Sequence, residues 1–259
     1  MKKITSKLSL KGKIAVITGS TKGIGFAISK EFAENNGATV IVCSRSIQNA
    51  EKAAKQINGK AFAAEIDITS NSSVRSFLQH VISNHNRIDI LVNNAGYPFN
   101  SGIWYKEFHM TTDDELDKII EVDLKGSVRL SRAVITYMLK DAIGGVIINI
   151  SSTPAIAGHV QGAPYTLAKA GLVALTKHIA REYGINNIRA YTLALGNIAT
   201  EATFNSMSKE DRKNAGEEAA MKRWGKPEEV AKVAASLAGY NFSFTTGNTI
   251  VIDGGTVML

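Results

Sequence analysis

Short apolar, β-branched runs alternate along the chain with longer stretches whose apolar positions recur every three or four residues. Residues 13–18 (KIAVIT), 39–44 (TVIVCS), 61–66, 88–92 (IDILV), 146–150 (VIINI), 188–193 and 249–252 read as seven strands. Residues 24–35, 47–57, 71–85, 113–140, 163–183 and 227–238 read as the helices between them. Strand and helix in repeated succession are the signature of βαβ units and a parallel sheet. Strands that are apolar throughout imply a sheet covered on both faces. No linker-like stretch interrupts the alternation. The expectation is therefore one α/β domain over residues 1–259, with 1–10 as an N-terminal tail.

Two segments break the rhythm, residues 97–112 and 200–226. Each follows a strand at its C-terminal end, where open α/β sheets bind ligands. The first holds Tyr97, Phe99, Trp104, Tyr105 and Phe108, five of the 18 aromatic residues. Such a cluster either packs on itself or walls a pocket. In the second, Ser208 followed by Glu210 and Asp211 looks like a helix start, and Phe204, Met207 and Met221 offer an apolar underside. It reads as a lid over cofactor and substrate, against the alternative of a permanently packed helical hairpin.

Composition narrows the class. With 44% hydrophobic residues, 22 Gly and 4 Pro in 259, the chain is neither disordered nor collagenous. Cys43 is the only cysteine, which excludes an intrachain disulfide and argues against a cysteine-built metal site; the five histidines form no HxxxH pair, so no metal is expected. No apolar run approaches the ~18 residues of a membrane span, and the first residues lack an apolar signal core, so a cytoplasmic protein is expected. The net charge of +7 is uneven: residues 1–60 carry 11 Lys and Arg against 3 Asp and Glu, and the rest 19 against 20. Lys2, Lys3, Lys7 and Lys11 come without an aromatic or Arg cluster, so they read as solubility residues and no nucleic-acid partner is expected.

Chemistry begins directly after the first strand, at Thr18-Gly19-Ser20-Thr21-Lys22-Gly23-Ile24-Gly25. Glycines let the backbone turn tightly against a pyrophosphate, and the helix start that follows offers free N–H groups and a positive dipole end to the anion. Tyr165 and Lys169, four apart on an expected helix, share one face; the ammonium there favours a tyrosinate, which makes the phenol a usable acid or base. Ser152, at the end of a strand, can hydrogen-bond a substrate oxygen on which charge develops.

The TGxxxGxG spacing, Asn93-Asn94-Ala95-Gly96, Ser152, Tyr165-Thr166-Leu167-Ala168-Lys169 and Asp253-Gly254-Gly255, in that order, resemble the classical short-chain dehydrogenase/reductase family over residues 11–255. The resemblance implies a Rossmann-type doubly wound domain with seven parallel strands, hydride transfer with a nicotinamide cofactor, a small-molecule substrate and a homodimer or homotetramer. It implies Ser152, Tyr165 and Lys169 as catalytic residues. It implies Gly19 to Gly25, Asp67, Ile68, Asn94, Ala95, Gly96, Tyr165, Lys169, Gly196, Ile198 and Thr200 as cofactor contacts. The family's fourth catalytic residue is usually Asn in VNLxG, whereas this chain has Asp123 in Val122-Asp123-Leu124-Lys125-Gly126. An ionised Asp123 within ~8 Å of the pair would favour the ammonium and disfavour the tyrosinate. Alternatively, it bonds a backbone N–H in a distorted helix. Leu195-Gly196 and Tyr191 also depart from the family pattern and bear on nicotinamide seating.

After the second strand stands Ser44-Arg45, where a carboxylate would hold ribose hydroxyls and repel a 2′-phosphate. With Lys22 in the glycine turn, this favours NADP (NADPH). The reading is an NADP-dependent carbonyl reductase most like the 3-oxoacyl reductase branch. Its alternatives are a dehydrogenase of sugars or other secondary alcohols and, as a non-enzyme, a cofactor-sensing regulator.

Overall fold

The computed structural model describes residues 10–99, 101–140, 144–205 and 207–258; the tail lysines Lys2, Lys3 and Lys7 lie outside them. Seven strands, β1 (Ile14–Ile17), β2 (Thr39–Ser44), β3 (Ala61–Glu65), β4 (Ile90–Asn93), β5 (Gly145–Ser152), β6 (Ile188–Leu195) and β7 (Thr249–Ile252), form one parallel sheet in the order β3-β2-β1-β4-β5-β6-β7. The chain reverses its direction of winding between β1 and β4, and the loops leaving those strands open the crevice where such sheets bind ligands.

The expected helices are α1 (Gly23–Lys30), α2 (Ile47–Ala54), α3 (Asn71–His85), α5 (Asp113–Ile119), α6 (Ser127–Lys140), α8 (Ala163–Tyr183) and α11 (Pro227–Ala238). The irregular segments add α4 (Ser101–Trp104), α7 (Pro154–Ala157), α9 (Glu201–Phe204) and α10 (Lys209–Glu217). Among the described residues no helix is long and apolar enough to cross a membrane.

Successive strand residues point to opposite faces, and each face has its own core. Ile17, Val42, Val92, Ile148 and Leu193 pack under α1 and α11, where Phe32, Val230 and Ala234 are fully buried. Val16, Ile41, Leu91, Ile147 and Ala190 pack under α3, α6 and α8 with Phe77, Leu130 and Ile179. Burying a large aliphatic side chain contributes roughly 1.5 to 3 kcal/mol, so the doubly covered sheet is the rigid body of the molecule.

Across β4, β5 and β6 runs one buried polar row, Asn93, Asn149 and Thr192, paired at the same level. Asn93 Nδ2 donates to Asn149 Oδ1 and to Ser131 Oγ, both at 2.8 Å. Asn149 Nδ2 donates to Thr176 Oγ1 at 2.8 Å, which also receives the Thr192 hydroxyl at 2.7 Å. Each buried group is thereby satisfied, as burial demands.

Local differences from the sequence expectation have identifiable causes. β4 begins at Ile90, and Asp89 just before it is a buried acceptor for Ile14 N–H at 2.9 Å and Lys13 Nζ at 3.1 Å. The stretch 113–140 is continuous but widens into a π-type turn over Ile120–Gly126, and α1 widens likewise over Glu31–Asn35. Thr112 closes a capping box with Glu115, its hydroxyl accepting Glu115 N–H at 3.3 Å and its own N–H donating to Glu115 at 2.9 Å, which sets where the aromatic segment ends.

Candidate active site

The loop after β1 is folded around Thr18. Its hydroxyl accepts the N–H groups of Asn94 and Ala95, each at 3.0 Å, and donates to Val92 O at 3.3 Å. Asn94 returns the contact by donating to Thr18 O at 2.9 Å and Gly19 O at 3.1 Å. Position 25 must be glycine for this approach, since a Cβ there would stand 2.5 Å from Asn94 Nδ2 and 2.6 Å from Gly19 O. The two sequence motifs, TGxxxGxG and NNAG, are thus two halves of one knot.

The first turn of α1 holds no acidic residue, and the Lys22 cap makes no side-chain hydrogen bond. The leading N–H groups of α1 are therefore available to an anion, as a dinucleotide pyrophosphate site requires. Thr21, Lys22, Gly23 and Thr200 stand at one end of an open groove that runs along α1 between α2 and α11 and does not include Ser152, Tyr165 or Lys169. Thr200 caps the start of α9, its hydroxyl 3.0 Å from that of Thr203. Ser20 is placed differently from the expectation. It is fully buried, its hydroxyl donating to Ile17 O at 2.6 Å and accepting Cys43 N–H at 2.9 Å, and its own N–H donates to Cys43 O at 3.2 Å. Ser20 therefore ties β1 to β2 and presents neither group to a ligand.

At the end of β2, Ser44 is half-buried and Arg45 exposed. Asp67 accepts both the Thr69 hydroxyl at 2.7 Å and the Thr69 N–H at 2.9 Å. Those bonds hold its carboxyl below the usual carboxylate range, against the effect of burial, with Arg45 and Arg129 adding to the shift. Ile68 is buried and its carbonyl accepts Arg129 at 2.6 Å. Gly196 and Asp253 meet beyond β6. A Cβ on Gly196 would come within 2.5 Å of Asp253 Cβ, and Ile198, buried, bridges to Gly225. Tyr191 does not reach this edge. Its ring is fully buried in mid-strand and its hydroxyl bonds Thr245 and, at 3.1 Å, Phe242 O, so its departure from the family pattern does not touch the nicotinamide site.

Tyr165, Lys169 and Asp123 form the centre, and Ser152 ends β5, whose Ile150 carbonyl reaches Lys169. Ser152 is the last residue of β5, with its hydroxyl donating to Leu195 O at 3.1 Å. Tyr165 and Lys169 lie on successive turns of α8, and Lys169 Nζ is 5.4 Å from the Tyr165 ring centre. Lys169 is only 6% exposed. Its ammonium donates to Ile150 O at 3.3 Å and meets Asp123 Oδ2 at 3.3 Å, which engages two of its three donors. Burial pulls the lysine pKa down, but the Asp123 charge, Tyr165 and the hydrogen bond to Asp123 outweigh it and hold the value above that of an ordinary lysine. The backbone of α8 is pinned there too, by Ser151 Oγ donating to Lys169 O at 2.8 Å.

Asp123 is 1% exposed and sits in the π-type turn. Its two oxygens have different partners: Oδ2 faces Lys169, and Oδ1 accepts the backbone N–H of Tyr97. A wall that sequence reasoning did not connect to Tyr165 stands beside it. The Trp104 ring meets Tyr165 edge-on with centres 4.6 Å apart and His159 at 5.4 Å, and Phe99 lies 6.1 Å from Trp104. Gly162, with φ +70°, lets the segment come so close: a Cβ there would lie 2.8 Å from Trp104 O, and its N–H donates to Lys106 O at 3.2 Å.

The described residues of the 200–226 segment fold onto one another. Phe204 and Trp224 stack edge to face at 5.2 Å, Trp224 donates to Arg212 O at 2.7 Å, and Ser208 caps α10 by accepting Asp211 N–H at 3.1 Å. Among the described residues no three His, Cys, Asp or Glu side chains gather as a metal site.

Known proteins share this architecture over nearly the whole chain. The family model described as enoyl-(acyl carrier protein) reductase matches residues 19–257. The 3-oxoacyl-(acyl-carrier-protein) reductase of Thermotoga maritima is 35% identical over 97% of this chain and 100% of its own length. Glucose 1-dehydrogenase 2 of Bacillus subtilis is 31% identical over 96% of both. The crystal structure of a short-chain type dehydrogenase/reductase from Mycobacterium marinum superposes with a TM-score of 0.87 at 31% identity, covering 96% of this chain and 97% of that one.

Proposed function

The chain belongs to the short-chain dehydrogenase/reductase family of oxidoreductases, and on that premise we propose that it reduces a carbonyl compound to a secondary alcohol with NADPH, the substrate being an acyl or ring-bearing ketone such as a 3-oxoacyl thioester. The observation that carries the reading is the buried ammonium of Lys169, 5.4 Å from the Tyr165 ring centre and held by Asp123 Oδ2 and by the Ile150 carbonyl of β5, the strand that Ser152 ends.

The residues fit a dinucleotide. The N–H groups of α1 from Gly23 onward suit a pyrophosphate, Asn94, Ala95 and Gly96 border the crevice, and Lys169 has one donor left for a ribose hydroxyl. Lys22 and Arg45 supply charge-assisted partners for a 2′-phosphate, and Ser44 does not repel it. Bound there, the reduced nicotinamide supplies hydride to the carbonyl carbon. Tyr165 then gives its hydroxyl proton to the carbonyl oxygen, Ser152 turns its hydroxyl from Leu195 O to donate to that oxygen, and the Lys169 ammonium stabilises the tyrosinate left behind. The Trp104 wall favours an apolar body on the substrate.

Sugar oxidation is the second reading, favoured by the similarity to glucose 1-dehydrogenase 2. The reading also takes the protein as a cytoplasmic homodimer or homotetramer, which light scattering on the purified chain tests. The deciding experiment follows NADPH and NADH oxidation with acetoacetyl-CoA and diketones, and NADP⁺ and NAD⁺ reduction with glucose. Turnover of acetoacetyl-CoA with NADPH is expected; activity confined to glucose and NAD⁺ would overturn the reading.

A further inference from the structure

A carboxylate as deep as that of Asp123 persists only where its oxygens are satisfied. Here they are satisfied by two different parts of the site. Oδ2 meets the Lys169 ammonium at 3.3 Å, and Oδ1 accepts Tyr97 N–H, the first residue of the segment that carries Trp104 to the Tyr165 ring. Its own carbonyl accepts the Ser127 hydroxyl at 3.4 Å, and the widened turn Ile120–Gly126 aims the side chain inward. Gly96 leaves the space for it: a Cβ at 96 would lie 3.3 and 3.4 Å from the two carboxylate oxygens. The charged or titratable groups acting on Lys169 are Asp123, from this turn, and Tyr165, from its own helix; β5 contributes the neutral Ile150 carbonyl.

We propose that Asp123 is a positioning residue that clamps the catalytic ammonium and the root of the 97–112 segment with one carboxylate, so that the charge on Lys169 and the seating of the substrate wall are set together. The inference rests on the reading of Tyr165 and Lys169 as the proton-transfer pair. A carboxylate is an acceptor at both oxygens, whereas an amide accepts at one only. Asparagine at 123 must therefore abandon one of the two partners and removes the charge in either orientation.

The test uses the full chain labelled with ¹⁵N-lysine and follows the Lys169 ammonium resonance against pH. Asp123→Asn should lower its titration midpoint by about one to three units, since it removes an opposite charge within ~4 Å. This readout needs no substrate, so it remains decisive even if no carbonyl probe is turned over, an outcome that would sink the reductase reading instead. Amide exchange at Tyr97 should quicken about tenfold or more in Asp123→Ala, and the alkaline-going limb of NADP⁺-dependent 3-hydroxybutyryl-CoA oxidation should move to lower pH in Asp123→Asn. An unmoved Lys169 midpoint overturns the clamp at the lysine, and unaltered Tyr97 exchange in a folded Asp123→Ala overturns it at the loop. If Asp123→Ala does not fold, Tyr97 exchange in Asp123→Asn decides that arm jointly with the lysine: a change at neither partner overturns the proposal.

Discussion

The centre around α8 and the two irregular segments, 97–112 and 200–226, are built on opposite principles. At the centre, polar atoms are paired within the chain: Lys169 with Asp123 and Ile150, Ser151 with the Lys169 carbonyl, Ser152 with Leu195. In the segments, large apolar side chains stand in the open, Phe99 at 46% exposure, Tyr105 at 53%, Phe108 at 75% and Met221 at 63%. A paired polar centre is preorganised for charge that appears in a transition state. Open apolar surface of this kind gains by being covered. Under the proposed function, the reaction type belongs to the sheet-anchored elements and the choice of substrate to this open surface.

The sharpest way to break this division is Tyr165→Phe, which removes the transferable proton yet keeps the ring against Trp104. Turnover should fall about a thousandfold or more while NADPH affinity, read by fluorescence, changes less than about twofold; a variant that kept most of its kcat would show that Tyr165 is not the donor. Next in size is Arg45→Ala. Charge-assisted bonds contribute ~1.5 to 3 kcal/mol, so NADPH should bind roughly ten- to a hundredfold more weakly with NADH nearly unaltered. Equal losses for both cofactors would remove the 2′-phosphate assignment.

Trp104→Ala addresses the 97–112 segment alone. It should raise KM for acetoacetyl-CoA about five- to twentyfold and lower kcat less, because an aromatic wall contributes chiefly to binding. A loss confined to kcat would instead place Trp104 with the chemistry. The smallest effect is expected at the hinge of the second segment, where Arg223 grips Glu229 through bonds of 2.9 and 2.7 Å. Arg223, and after it the Lys226 N–H, pull the Glu229 carboxyl down to about 2. Because the folded value lies below the unfolded one, this contribution is present in full above about pH 4.5 and fades as pH falls through about 2. The pair is substantially exposed, so Glu229→Gln should lower Tm by only about 1 to 3 °C at pH 7, with the difference vanishing near pH 2. A larger drop, with quicker hydrogen exchange over 200–226, would mean that the segment is held chiefly from this point.

What the sequence disclosed follows the same division. The strands, the single α/β unit, and helices 71–85 and 163–183 were legible because burial on both sheet faces leaves continuous apolar runs, and Tyr165 and Lys169 were legible because their relation is local. Ser20 was misread as a ligand contact, since a serine in a glycine turn looks the same whether its hydroxyl turns outward or into β2. The widened turn at 120–126 was legible only as the alternative of a distorted helix at Asp123, because its one glycine, Gly126, does not mark where the hydrogen bonding shifts. Trp104 beside Tyr165 and Tyr97 on Asp123 are tertiary meetings with no periodic trace, although an acidic residue inside an otherwise apolar helical face was a usable hint at Asp123.

The polar row Asn93, Asn149 and Thr192 has a bearing on Ser152. Parallel strands that are oily on both faces could slide by two residues and still present the same faces, so hydrophobic burial alone tolerates that error. The row does not, because a slip would strand the amides of Asn93 and Asn149 without partners in a dry interior. It acts as a zero mark on a ruler. Ser152 stands three residues further along β5, about 10 Å at the strand's rise per residue, so the place at which its hydroxyl emerges is measured from a hydrogen-bonded line in the middle of the sheet.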